Sequence, residues 1–417
     1  MFTRRDFLKT SSMVTLGLGS SALLPRFLSR TADAAPLSGK PGAKDTILVV
    51  VQLTGGNDGL NTVIPFKDPL YARYRPTLKQ PVDQIKKLND EVGLHPALGG
   101  LASLYEDNAL CVVQGVGYPN PSQSHFRSMD IWHAGSTAET LREGWLGKAL
   151  GRLNNAPAYH LGAENEAAPF AFAGAPIKVP SLTSLEEFQL RTAAASSPDS
   201  KAQRAVIEGV VRGGSSPKQE SSLIDFVQRT ANNTYASSRR LAEIGKNYEP
   251  KVPYPASGLA NRLKLAAQLI DADLGARIYY VSIDGFDTHA GQEPTHTTLL
   301  TEVSEALAAF YKDLAARGQG ERLMVMTFSE FGRRARENGS KGTDHGSGAP
   351  MFLVGGRVKA GVVGQHPSLE KLEDGNLKHH TDFRQVYAAI LDGWLGVPSR
   401  EILGQAFAPV GILRSQA

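Results

Sequence analysis

The chain has 417 residues, 41% of them hydrophobic, 21% charged and 7% aromatic, which excludes a disordered or collagen-like chain and calls for one large core or two domains. Lys and Arg number 45 against 41 Asp and Glu, and the net charge of +4 gives no reason to expect nucleic acid as a partner. The single cysteine, Cys111, excludes an intrachain disulfide framework, a paired-thiol redox motif, c-type haem attachment and a cysteine-ligated iron–sulfur cluster.

The chain opens Thr3-Arg4-Arg5-Asp6-Phe7-Leu8-Lys9, continues through a mildly apolar stretch from Met13 to Leu24, and reaches Ala32-Asp33-Ala34. Residues 1–34 therefore read as a twin-arginine signal with an A-x-A cleavage site, which predicts the twin-arginine translocase as a partner during export and a periplasmic or extracellular location. Cleavage there would remove Arg4, Arg5, Lys9, Arg26 and Arg30 together with Asp6 and Asp33, so the basic excess belongs largely to the signal. Residues 35–44, rich in Pro, Gly, Ser and Lys, read as a tether. Beyond them no apolar run reaches the roughly 18 residues of a stable membrane span.

Residues 45–417 read as a single α/β domain. Thr46 to Leu53 is a continuous run rich in β-branched residues that stops at Gly55-Gly56-Asn57-Asp58-Gly59, the pattern of a strand buried on both faces and ending in a turn. Short runs of the same kind recur at Ala109 to Gln114, Arg277 to Ile283, Leu323 to Phe328 and Met351 to Val354. Helical periodicity fills the intervals: Ala97 to Glu106, Ser257 to Ala272, and Thr298 to Ala316 with Leu299, Leu300, Val303, Ala306, Leu307, Phe310 and Leu314 on one face. From about 185 to 256 the composition shifts to Ser, Ala, Gln and Arg with no buried-strand run, which predicts a helical insertion. Asp382 to Leu395 reads as a terminal core helix. The alternation predicts a mainly parallel central sheet with helices on both faces.

Ligands of open α/β sheets bind beyond the carboxyl ends of the strands. Here those ends are rich in polar residues. The first strand leads to Asn57 and Asp58, the second to Ser122, Ser124, His125 and Arg127, the third to Asp284, Asp287 and His289, and the fourth to Ser329, Glu330 and Arg333. Asp344 and His345 lie in the Gly-rich loop before the run at Met351. Each has an ordinary explanation by itself, such as a turn or a helix cap. Their common location points instead to a divalent metal site, zinc foremost with Mg or Ca beside it, of one or two ions. His nitrogens and carboxylates hold such an ion, whose charge lowers the pKa of a bound water or Ser hydroxyl. Asp284 or Asp287 with His289 and His345 would form one site, and Asp58, Glu330 and Asp344 a harder, oxygen-rich one. Arg127 and Arg333 are candidate clamps for an anionic substrate. No G-x-S-x-G elbow or complete dinucleotide fingerprint is present.

The strings Gln52-Leu53-Thr54-Gly55-Gly56-Asn57-Asp58-Gly59-Leu60-Asn61, Ser124-His125-Phe126, Gly285-Phe286-Asp287-Thr288-His289, Phe328-Ser329-Glu330-Phe331-Gly332-Arg333 and Gly342-Thr343-Asp344-His345-Gly346 resemble the exported domain of unknown function 1501 family, from about Asp45 to near the C-terminus. That family is in turn similar to the alkaline phosphatase and sulfatase superfamily. The resemblance implies an alkaline-phosphatase-like fold, metal ligands at Asp58, Asp284, His289 and His345, and a nucleophile at Ser122 or Ser124. One strand departs from the superfamily pattern, ending Ser329-Glu330 in place of an Asp-His pair. The expected function is hydrolysis of a small anionic phosphate or sulfate ester with Ser124, Ser122, His125, Arg127 and Arg333 as catalytic candidates. The alternative is a non-catalytic exported binding or assembly protein that keeps the fold. Ser124 is preferred as nucleophile because it opens the helix-like stretch His125 to His133, whose N-terminus favours an anion.

Overall fold

A computed structural model describes residues 46–154, 156–162, 166–184 and 248–414. The signal, the tether and nearly all of the expected helical insertion lie outside these residues. The elements below belong to the unit formed by Gly39–Thr183 and Glu249–Ala417.

The first expected strand is β1 (Ile47–Leu53), and every one of its residues is buried. The other strands of the central sheet are β2 (Leu110–Gly117), β3 (Ala158–Leu161), β4 (Ser181–Leu182), β5 (Ile278–Ile283), β6 (Leu323–Phe328), β7 (Ala349–Val354), β8 (Gly361–Val363) and β9 (Thr381–Asp382). They lie in the order β8-β2-β7-β6-β1-β5-β3-β4, with β9 beside β2. β1 is central, paired in parallel with β5 from Leu48 opposite Ile278 and with β6 from Ile47 opposite Leu323. Among the described strands of the central sheet β7 alone runs antiparallel, against β2 and β6. Its beginning therefore lies at the edge where its neighbours end, which brings the loop before it to the carboxyl ends of β1, β2, β5 and β6.

The described helices are α1 (Gly59–Thr62), α2 (Pro69–Tyr74), α3 (Gly99–Glu106), α4 (His125–Ala134), α5 (Trp145–Arg152), α6 (Gly258–Asp271), α7 (Gln292–Ala316), α8 (Phe383–Ile390) and α9 (Ser399–Leu403). Successive side chains of a strand point to opposite faces, so both faces of β1 need cover. Leu48 and Val50 join Trp132 of α4, Trp145 of α5 and Phe383 and Tyr387 of α8 in one core cluster. On the other side α6 packs on β5, α3 packs on β2, and both pack on α7. The fold is thus α/β, with a mainly parallel sheet covered on both faces. No helix among the described residues is long and apolar enough to cross a membrane.

Candidate metal centre

The loops after β1 and β5 are laced together before any side chain is considered. Thr54 N–H donates to Ile283 O at 2.8 Å, and Phe286 N–H donates to Thr54 O at 3.1 Å. Gly55 carries φ of 117°, and a Cβ on it would stand 2.4 Å from Asp287 N, so only glycine permits this approach. Asp287 and His289 follow directly from that turn. His345 ends a two-stranded ribbon, Arg333–Glu337 with Thr343–His345, in which it lies opposite Arg333. His125 is the first residue of α4. Two strand ends and a ribbon thus deliver their side chains to one place.

His125, Asp287 and His345 offer ligand atoms that all lie within 4.8 Å of one another. Asp287 Oδ2 is 3.4 Å from His125 Nε2, and Asp287 Oδ1 is 3.1 Å from Nε2 of both His289 and His345. The Nε2 atoms of His289 and His345 are 2.9 Å apart. Each imidazole is backed by an acceptor at Nδ1: Glu330 Oε1 at 2.8 Å for His125, the Gln123 carbonyl at 2.9 Å for His345, and Asp344 Oδ1 at 3.4 Å for His289. An acceptor at Nδ1 favours the tautomer that presents the Nε2 lone pair to a metal ion. In that tautomer three Nε2 lone pairs gather around the Asp287 carboxylate, a donor set suited to a divalent cation. His125 Nε2 is buried and has no hydrogen-bond partner. Donors held about 2.0–2.1 Å from a tetrahedral zinc ion stand roughly 3.3 Å apart, and the spacings here bracket that value.

Partial burial would raise the Asp287 pKa, but Arg333, through its hydrogen bond and its charge, together with the neighbouring imidazoles, brings it down to about 2. Asp344 is also held below the ordinary carboxylate range, first by the hydrogen bond from Asn338. The Phe331 ring underlies the cluster, its centroid 4.9 Å from that of His125 and 4.7 Å from that of His345.

The expected site residues divide by position. Asp287, His289 and His345 meet, and His125, expected as a catalytic group, stands among the metal-compatible donors. Glu330 and Asp344, expected as ligands, sit behind His125 and His289. Glu330 is fully buried, and its Oε1 also accepts the Gly55 N–H at 2.9 Å. Asp284 is exposed and bonds to none of these groups. Asp58 is withdrawn from the cluster, fully buried in an ion pair with Arg75. Arg333, expected as an anion clamp, is fully buried, and its donors are taken by protein acceptors. Nε goes to Gly56 O at 2.7 Å, Nη1 to Thr343 O at 2.8 Å, and Nη2 to Asp287 Oδ1 at 2.7 Å and to the Gly55 and Phe286 carbonyls. It fastens three loops and leaves nothing for a substrate. Arg127 donates to the Ala138 carbonyl and takes no part in the cluster. Ser122 Oγ accepts the Ser124 N–H at 3.3 Å. Ser124 is exposed at the N-cap of α4, with no capping bond from its side chain.

The sequence reading did not single out Arg75, Gln123, Gln292, Thr343 or His296. Gln123 acts through its carbonyl, which no side-chain pattern reveals. His296 is buried and bonds through Nε2 to Asn57 Oδ1 at 2.9 Å.

No curated protein matches the chain in sequence. Among solved structures it is similar to the PsFucS1 sulfatase from Pseudoalteromonas sp., at 13% identity over 92% of this chain and 73% of that one, with a TM-score of 0.35. It is also similar to the zinc complex of the C-terminal periplasmic domain of EcEptC from Escherichia coli, at 10% identity over 76% and 74% of the two chains, with a TM-score of 0.32. A third is the alkaline phosphatase of the Antarctic bacterium TAB5, at 11% identity over 75% and 92%, with a TM-score of 0.31. The family model described as "Protein of unknown function (DUF1501)" matches residues 45–401, and the chain belongs to that family.

Proposed function

We propose that this protein is an exported, divalent-metal-dependent hydrolase of small anionic phosphate or sulfate esters. The observation that carries the reading is the set of three imidazoles, each backed at Nδ1 by an acceptor, that turn Nε2 toward the carboxylate of Asp287. Metal-ligating histidines are held in this way. His125, Asp287 and His345 would hold the ion, with His289 beside them and zinc as the metal best suited to nitrogen and carboxylate donors. The bound ion would supply a charge that favours an ionised hydroxyl and a bound oxyanion at neutral pH. Ser124 is the nucleophile in this reading, since its exposed hydroxyl is uncommitted and immediately precedes His125. The N–H groups at the start of α4 face an anion there. Glu330 and Asp344 orient the rings, and Arg333 keeps Asp287 ionised. The ester class follows the motif resemblance, and the twin-arginine pattern supports export.

The experiment is elemental analysis of the mature protein purified without chelator, paired with hydrolysis of aryl phosphate and aryl sulfate esters. The wild type should contain zinc and cleave at least one ester class. Ser124→Ala should keep its metal and lose hydrolysis at least a hundredfold, whereas His345→Ala should lose both. A wild type that binds metal but cleaves neither ester would favour a non-catalytic exported binding protein, and a metal-free wild type would sink the proposal.

A further inference from the structure

Asp58 was expected to bind an ion, and the structure surrounds it with internal donors instead. Both of its oxygens are engaged: Arg75 Nη1 and Gln292 Nε2 donate to Oδ2, and Arg75 Nη2 donates to Oδ1 at 2.8 Å. The Asp58 and Arg75 side chains are fully buried. The other bonds of the guanidinium go to the Ala335 carbonyl at 2.8 Å and the Arg334 carbonyl at 2.9 Å. A cation arriving at Asp58 would have to expel a buried, permanently charged group held by four acceptor atoms. Glu330 is likewise committed, Oε1 to the Gly55 N–H and His125 and Oε2 to the Ser329 hydroxyl at 3.1 Å.

The ion pair also connects to the metal-compatible cluster. Gln292, which donates to Asp58, accepts through Oε1 from Thr343 Oγ1 at 2.6 Å. The Thr343 carbonyl accepts from Arg333 Nη1 at 2.8 Å, and Arg333 Nη2 reaches Asp287 Oδ1 at 2.7 Å. Every side chain between Asp58 and Asp287 on this path is buried. A buried network of this kind is rigid only while each member is satisfied.

We propose that the Arg75 guanidinium serves as a built-in cation at the carboxylate a second ion would need, so that the centre holds one divalent ion, and that the path through Gln292, Thr343 and Arg333 positions Asp287 for it. The inference rests on the metal-binding reading and specifies its stoichiometry. Thr343 is a positioning residue here, two residues from His345 and acting through Gln292.

The test is equilibrium dialysis of the full mature chain against zinc and magnesium together, followed by zinc titration of wild type, Thr343→Val and Thr343→Ser. One divalent ion per chain is expected. Thr343→Val keeps the side-chain shape, loses the hydroxyl, and should bind zinc about 10- to 100-fold more weakly, as loss of a group behind a metal ligand does. Thr343→Ser restores the donor and should bind within about threefold of wild type. Two ions per wild-type chain would overturn the inference while leaving the metal reading intact. Equal affinities in all three proteins, or failure of Ser to rescue, would overturn the positioning path. A wild type that binds neither metal would overturn the inference together with the function proposed above. The wild-type stoichiometry decides the first half even if Thr343→Val does not fold.

Discussion

His296 and His95 are buried as neutral bases, their rings meeting edge to face at 5.9 Å. Burial lowers the pKa of His296 to about 4 and that of His95 to about 3. The unfolded chain takes up protons on these histidines near pH 6.5, where the folded chain does not. Their contribution to stability is therefore complete above about pH 6.5 and is lost as the pH falls toward the folded values. His296→Gln keeps a donor for Asn57 without the titration. We expect the stability difference between wild type and this variant to shift by about 3 kcal/mol in the variant's favour between pH 6.5 and 4, read from urea midpoints. Parallel pH profiles would refute a neutral buried His296. At this scale the sequence identified which residues carry chemistry better than what they face. His289, His345 and Asp287 were legible because each follows a recognisable strand or precedes one. Arg333 was legible only as a charge, since a guanidinium that serves backbone carbonyls and one that serves a substrate look alike in sequence. Arg75, 17 positions from Asp58 and followed by Pro76, carried no local sign of its partner.

α4 and α8 show two ways of starting a helix. Asp382 caps α8 with a full capping box, its side chain accepting from Arg384 N at 2.9 Å while Gln385 reaches back to the Asp382 N–H. Ser124 occupies the same position in α4 and makes no such bond. Asp382→Ala should cost about 1 kcal/mol or somewhat more, and Ser124→Ala less than about 0.5 kcal/mol. Thermal or urea unfolding of the two variants checks this, and an equal cost would show that the Ser124 hydroxyl is a cap after all. The long strands and helices were legible because burial on two faces or along one stripe leaves a clear period. The apolar periodicity marks this helix from Thr298, whereas α7 begins at Gln292, since the Thr-rich opening with Pro294 has weak helix propensity while Pro is tolerated in a first turn. That missed opening carries Gln292 and His296. β3, β4 and β8, only two to four residues long, were too short to show a period.

Across the whole molecule, the parallel order of the sheet followed from alternating strands and helices, whereas the reversal of β7 did not. Its apolar run looks the same in either direction. The reversal matters, because it lets His345 reach the carboxyl edge by preceding a strand while Asp287 and His289 reach it by following one. The expected insertion near 185–256 falls largely outside the described residues, and its described end, Tyr248 to Ala256, contains no helix. The four side chains of the centre lie between His125 and His345, on segments that only the completed sheet brings together. Contacts between such distant segments are costly to form early in folding. On the metal-binding reading proposed above, a zinc ion would find its donors only once the sheet is assembled and would add free energy to the native state alone. Zinc should slow unfolding at least tenfold in stopped-flow denaturant jumps and leave refolding within about twofold of the chelator-treated protein. Faster refolding with zinc would mean that the histidines meet early. On this account the ion acts as a latch on a finished chain and does not template its folding, so the metal-free protein can fold first and take up its ion afterwards.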